Sequence, residues 1–104
     1  MGWAGFHDLS YNNPMPIMKI PNPLRSYVNG LAEVPVGGAT AGEAVESLLV
    51  LYPAFRPHLC REDGSLRAFV NLFLHKRNIR DLQGLGTPLE PDDILTLVPS
   101  IAGG

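Results

Sequence analysis

From Met15 the chain alternates in the period of a short strand, with Ile17 and Lys19 on one side and Met18 and Ile20 on the other, until Pro21 and Pro23 stop it. Asn29-Gly30 is a turn signal, and a second short strand follows from Leu31 to Val36. Pro35 confines that strand to an edge or a bulge, Gly37-Gly38 closes it, and the two strands together read as a loose hairpin. The period then changes. Val45, Leu48, Leu49 and Tyr52 stand at i, i+3, i+4 and i+7, one apolar helical face. Thr40 and Glu43 have capping-box spacing at its start, Glu43 and Glu46 suit its positive end, and Pro53 stops it. Ala54 to Leu66, with Pro57 and Asp63-Gly64, reads as loop with one short helical turn. Ala68 to His75 is the clearest strand: Val70, Leu72 and Leu74 form an aliphatic face for the helix, and Phe69, Asn71, Phe73 and His75 point the other way. Lys76 to Arg80 is expected to cross over, and Leu82, Leu85 and Leu89 to anchor a loop through Gly84 and Gly86. After a turn at Glu90-Pro91-Asp92-Asp93, the last strand runs from Ile94 to Val98, with Leu95 and Leu97 inward and Thr96 and Val98 outward.

Strand, strand, helix, strand, strand predicts an α+β fold: a mixed sheet of four to five strands with one main helix packed across one face. The first and last strands can pair side by side in such a sheet, which is the β-grasp, or ubiquitin-like, arrangement. Residues 17–98 are expected to form this domain. Residues 1–16, with Trp3, Phe6 and Tyr11 among Gly, Asn and Pro, read as a flexible extension, and 99–104 as a flexible tail.

Composition narrows the function. A chain of 104 residues, 45% hydrophobic and 17% charged, has the make-up of one globular domain. A net charge of −2 gives no electrostatic case for nucleic acid. The apolar run Leu48 to Tyr52 is too short to span a membrane, and residues 1–15 lack a secretory pattern. A single cysteine, Cys60, excludes an internal disulfide, so a cytoplasmic location is the expectation and no membrane partner is expected.

The chemistry concentrates at the end. Ile101-Ala102 leads from the last strand into Gly103-Gly104, whose missing side chains let a terminal carboxylate enter a narrow slot. Elsewhere the signals are weak. His58-x-Cys60 offers two ligands where zinc needs three or four, and Cys60 reads as a small apolar residue, so no metal is expected. Asp92-Asp93 reads as turn chemistry rather than a catalytic carboxylate pair, and Gly84-x-Gly86 lacks the setting of a phosphate loop. No catalytic residue set emerges.

Phe69-Val70-Asn71, then Asp92-Asp93-Ile94-Leu95-Thr96-Leu97-Val98-Pro99 and Ile101-Ala102-Gly103-Gly104, resemble the MoaD/ThiS family of ubiquitin-fold sulfur carriers. The resemblance covers roughly Ile17 to Gly104. Ile20-Pro21, and Arg67 to Asn71 leading through Asn78-Ile79-Arg80 to Gly84, bring it nearer the longer, CysO-type carriers than compact MoaD or ThiS. The resemblance implies a carrier or co-substrate rather than an enzyme. An adenylating enzyme of the MoeB/ThiF type would use ATP to activate the Gly104 carboxylate. A persulfide sulfur would then displace AMP and leave a C-terminal thiocarboxylate. A biosynthetic enzyme such as a cysteine synthase or a molybdopterin synthase large subunit would accept that sulfur. No cofactor would be bound, and the carrier alone would be a monomer. Gly103, Ala102 and Ile101 would form the tail, and Phe73, Thr96, Val98 and Phe69 a partner-binding surface, unless the N-terminal extension or a loop covers them as core. Six of the eight Lys and Arg residues (Arg56, Arg61, Arg67, Lys76, Arg77 and Arg80) lie between Arg56 and Arg80 and would either steer an acidic partner or form a solvated surface. Two other classes stay open: a protein modifier conjugated through Gly104, and a plain β-grasp binding domain.

Overall fold

The computed structural model describes residues 15–100. The expectations for Trp3, Phe6 and Tyr11, and for Ile101, Ala102, Gly103 and Gly104, lie outside the described residues. Five strands, β1 (Ile17–Lys19), β2 (Glu33–Pro35), β3 (Val70–Leu74), β4 (Arg77–Asn78) and β5 (Ile94–Pro99), form one sheet in the order β2-β1-β5-β3-β4. β1 runs parallel to β5 and antiparallel to β2, so the first and last strands do lie side by side. Met18 stands opposite both Val34 and Leu95, and all three are buried. Pro35 is on the edge strand, where a missing N–H costs no ladder bond.

Helix α1 (Ala41–Leu51) covers one face and buries Ala41, Ala44, Val45, Leu48 and Leu49 against Leu72, Leu95 and Leu97 of the sheet in one core. Its cap is half the expected box. The Glu43 N–H donates to Thr40 Oγ1 at 3.2 Å, but Glu43 Oε1 accepts from the Ala39 N–H at 2.8 Å, one residue further out than the usual reciprocal partner. Ser47, off the apolar face, accepts from the Gly37 N–H at 2.9 Å and ties the exit of β2 to the helix.

Three connections differ from the sequence reading. The link between β1 and β2 holds a 3-10 helix, Asn22–Val28, which places Val28 in the core and ends where Asn29 turns left-handed at φ 57°. The stretch after α1 is more ordered than a loop with one turn. A 3-10 turn (Pro53–Phe55) leads into α2 (Arg56–Leu59), burying Phe55, Leu59 and Cys60, and Tyr27 stacks on Phe55 at 5.3 Å. The expected crossover after β3 is instead a tight reversal through His75 and Lys76 into β4, with Leu74 opposite Arg77. His75 takes φ 58° there, a conformation usually left to Gly or Asn, which is why the sequence carried no turn signal.

The end of the last strand also departs from expectation, since β5 runs through Pro99 and Ser100 is still hydrogen-bonded beside it. Ile94 and Ser100 bond toward β3: the His75 N–H donates to Ile94 O at 3.1 Å and the Ser100 N–H to Phe69 O at 2.6 Å. By alternation Pro99 turns its nitrogen the other way, toward β1. There β1 has already ended at Lys19, opposite Thr96, so the strand continues through proline without losing a bond.

Candidate functional site: the end of β5 and the outer sheet face

β5 is the central strand, and it delivers the chain to one end of the sheet at Ser100. Asn71, across from Val98, organises that end. Its Oδ1 accepts from Asn78 Nδ2 at 3.2 Å and from Arg80 Nη1, while its Nδ2 donates to Ser100 Oγ at 2.8 Å. Arg80 Nη2 donates to the carbonyls of Arg67 at 3.1 Å and Val70 at 2.9 Å. From the sequence Asn71 is an outward strand residue and Arg80 one of a basic span, both also within a family pattern, but not a linked pair. Their contacts join residues far apart along the chain, so no local period could reveal them.

The face of the sheet opposite α1 is mixed, with apolar residues standing beside Lys19, Asn71 and Thr96. Phe73 stands opposite Thr96, both partly buried, and Val98 is 40% and Phe69 45% exposed. Phe73, Thr96 and Val98 therefore share one outer surface, as the alternation predicted, with Phe69 in the turn just before β3. Ile94, 37% exposed, and Ile17 opposite it extend the surface. Both share the parity of Thr96 and Val98 or pair with it, a signal present in the sequence but not taken up.

The basic span divides. Arg56 is bidentate to Glu46 at 2.9 and 3.0 Å, which joins α2 to α1. That hydrogen-bonded pair holds the Glu46 carboxyl below its usual range. Arg67 Nε donates to Pro57 O at 2.7 Å, and Arg80 is occupied as described. Arg61, Lys76 and Arg77 make no ion pair among the described residues. Half of the span thus holds loops together.

The weaker motifs resolve into structure. Burial pushes the Cys60 thiol up, against a smaller downward pull from Arg56. His58 lies against Tyr27, with ring centroids 4.3 Å apart. No three His, Cys, Asp or Glu side chains converge among the described residues. Asp93 is a turn residue: Oδ2 accepts from the Glu90 N–H at 2.7 Å, and Oδ1 meets His75 Nε2 at 2.9 Å. Gly84 to Gly86 is a 3-10 turn in which Thr87 Oγ1 donates to Gly84 O at 2.7 Å, and Leu85 packs close to Gly42 of α1. It is a packing loop.

The ThiS family model matches residues 18–104, from β1 to the glycine pair. The chain belongs to the ThiS family. This ThiS-family chain is 30% identical over 89 residues to the sulfur carrier protein CysO of Mycobacterium tuberculosis, covering 84% of this chain and 96% of that protein. Its fold is similar to the crystal structure of the BexX/CysO complex of Amycolatopsis orientalis (TM-score 0.78, 28% identity, 86% of this chain and 99% of that one). It is also similar to the solution structure of small archaeal modifier protein 1 from Methanosarcina acetivorans (TM-score 0.76, 28% identity, 88% and 97%). The β-grasp fold read from the order of elements is thereby shown. Among the described residues no helix is long and apolar enough to cross a membrane.

Proposed function

We propose that this chain is a sulfur carrier that works through the Gly104 carboxylate. A carboxylate is a poor electrophile. An adenylating partner joins it to AMP from ATP and releases pyrophosphate. Sulfur then displaces AMP. When the sulfur arrives as a persulfide, an acyl disulfide forms, and a second thiol cleaves its S–S bond to leave the thiocarboxylate and a disulfide. The thiocarboxylate sulfur is the nucleophile handed to an acceptor enzyme of a biosynthetic pathway, of the cysteine synthase or molybdopterin synthase class. The chain itself supplies no acid, base or metal to these steps. Phe69, Phe73, Thr96 and Val98 form the surface that partners grip, beside the strand end from which the glycine pair follows.

One observation carries this reading: the family match runs unbroken from β1 through Gly104, and a relative aligned over 96% of its length is a sulfur carrier. Its test is the intact mass after incubation with an adenylating enzyme, ATP and a sulfur donor. Exchange of one oxygen for sulfur on the C-terminal fragment, absent when Gly104 is deleted, is the expected result. No exchange, with an enzyme competent on another carrier, defeats it.

The likeness to an archaeal modifier supports a second reading, in which the same adenylate passes to a lysine of a target protein. Conjugates that resist reducing agent on a blot and vanish on deletion of Gly104 distinguish it.

A further inference from the structure

Arg25 and Arg80 are anchored on either side of the point where β5 ends. β1 and β3 are its two neighbours in the sheet, and its last residues lie between the end of β1 and the start of β3. Arg25 Nε donates to Ile20 O at 2.9 Å, just past β1, and its Nη1 to Asn22 Oδ1 at 3.2 Å. Arg80 donates to Asn71 Oδ1 and to the carbonyls of Arg67 and Val70, at the entrance to β3. Asn71 also holds Ser100 Oγ, which places Arg80 beside the exit of β5.

All of these acceptors are neutral. The bonds fix the two guanidiniums but leave both charges uncompensated, and neither residue makes an ion pair among the described residues. Most other cations differ. Arg56 is paired with Glu46, Lys19 stands opposite Glu33, and Arg61 and Arg67 share a cleft with Glu62 and Asp63. A tie to carbonyls uses donors, not charge, and donors remain: Arg25 Nη2 and Arg80 Nε have no hydrogen-bond partner among the described residues. Both guanidiniums are held at strand level, and β1 and β3 lie two strand spacings apart, about 10 Å. One small anion cannot meet both. A surface carrying several carboxylates can, and a planar guanidinium already fixed in place loses little freedom on pairing with one. We propose that Arg25 and Arg80 form an electropositive rim around the exit of β5, and that it fits an acidic surface on the partner that receives the chain end. This rests on the carrier reading above and adds the charge of the partner's surface to it. The chain as a whole is weakly acidic, at −2, so the attraction is local and draws the partner to this end of the sheet.

The test is the Kd of the full chain for an adenylating enzyme proven on another carrier, measured by calorimetry without nucleotide. Two salt concentrations, about 20 and about 300 mM NaCl, shorten the screening length from roughly 20 Å to roughly 6 Å. The parent Kd is expected to rise about tenfold between them. Arg25→Gln and Arg80→Gln should each weaken binding about fivefold at low salt and much less at high salt. Arg25→Lys keeps the charge and should keep the parent's salt response. Arg77→Gln makes the same change of charge at the other end of the sheet, where Arg77 stands opposite Leu74 and Leu74 opposite Leu95, and should leave the response nearly unchanged. Arg80→Gln also removes ties to the backbone, so its urea midpoint is followed, and Arg25→Gln carries the test where that midpoint falls. A parent Kd indifferent to salt, a loss in Arg25→Gln that is absent or equal at both salts, or an equal loss in Arg77→Gln overturns the inference and leaves the carrier reading standing. An enzyme that neither binds nor adenylates the parent chain fails the carrier reading itself and this inference with it.

Discussion

Gly38 shows how one residue constrains the joint between β2 and α1. Its φ of +122° is a conformation that side chains rarely adopt, and an added Cβ would lie 2.5 Å from Glu43 Cβ. Gly38→Ala is therefore expected to destabilise by about 2 kcal/mol in urea denaturation, since both strain and overlap act against it. Cys60 gives a second test at this scale. Its thiol is buried and pushed up by that burial, so alkylation of the native protein at neutral pH should run roughly 100-fold slower than after unfolding. The pH dependence follows in sign. A thiol raised in the folded state contributes stability below its unfolded value, and that contribution is lost as pH rises through the folded one. Cys60, read as a small, partly buried apolar residue, is buried in the structure, whereas α2, which helps to bury it, has only four residues, too few to show a period.

At the scale of elements, legibility followed chain-local signals. The apolar face of α1, the aliphatic side of β3 and the inward Leu95 and Leu97 are repeats along the chain, and all are core in the structure except Tyr52 and Leu74, which are partly buried against it. The 3-10 helix between β1 and β2 and the reversal at His75 were not legible, because the first is short and proline-led and the second uses a residue outside the usual turn set. The Thr40 cap was legible, and it makes a prediction. Thr40→Ala should cost about 1 kcal/mol by urea denaturation, as its hydroxyl accepts the Glu43 N–H. The Glu46–Arg56 pair between α1 and α2 lowers the Glu46 carboxyl, so its contribution is present above the ordinary glutamate range and is lost as pH falls through the lowered value. Both partners are exposed, and Glu46→Gln should move the thermal midpoint less than Thr40→Ala does.

For the whole molecule, the proposed carrier role divides between a body that a partner would recognise and a chain end that would be presented to it. The helix seals one face of the sheet, which leaves Phe69, Phe73, Thr96 and Val98 on the other, beside the end of the central strand. That juxtaposition was partly legible: alternation gave the face, and the pairing of first and last strands gave the central position of β5. The links that hold Ser100 were not, since they join side chains 7 to 29 positions apart along the chain. If the exposed face is where an adenylating partner grips, Val98→Asp is a sharp probe. Val98 is 40% exposed, so an aspartate there meets solvent in the free protein and should leave the urea midpoint nearly unchanged. In a complex, the same carboxylate would be buried without a pairing charge, at a cost of several kcal/mol. A rise in KM for the carrier of about 100-fold or more, with kcat preserved at saturation, is the expected outcome in a pyrophosphate-exchange assay with an adenylating enzyme. A normal KM would mean that partners hold the body elsewhere, for instance along Arg61, Lys76 and Arg77. Charge reversal there would then raise KM in low salt more than in high salt, because exposed charges act through a screened field.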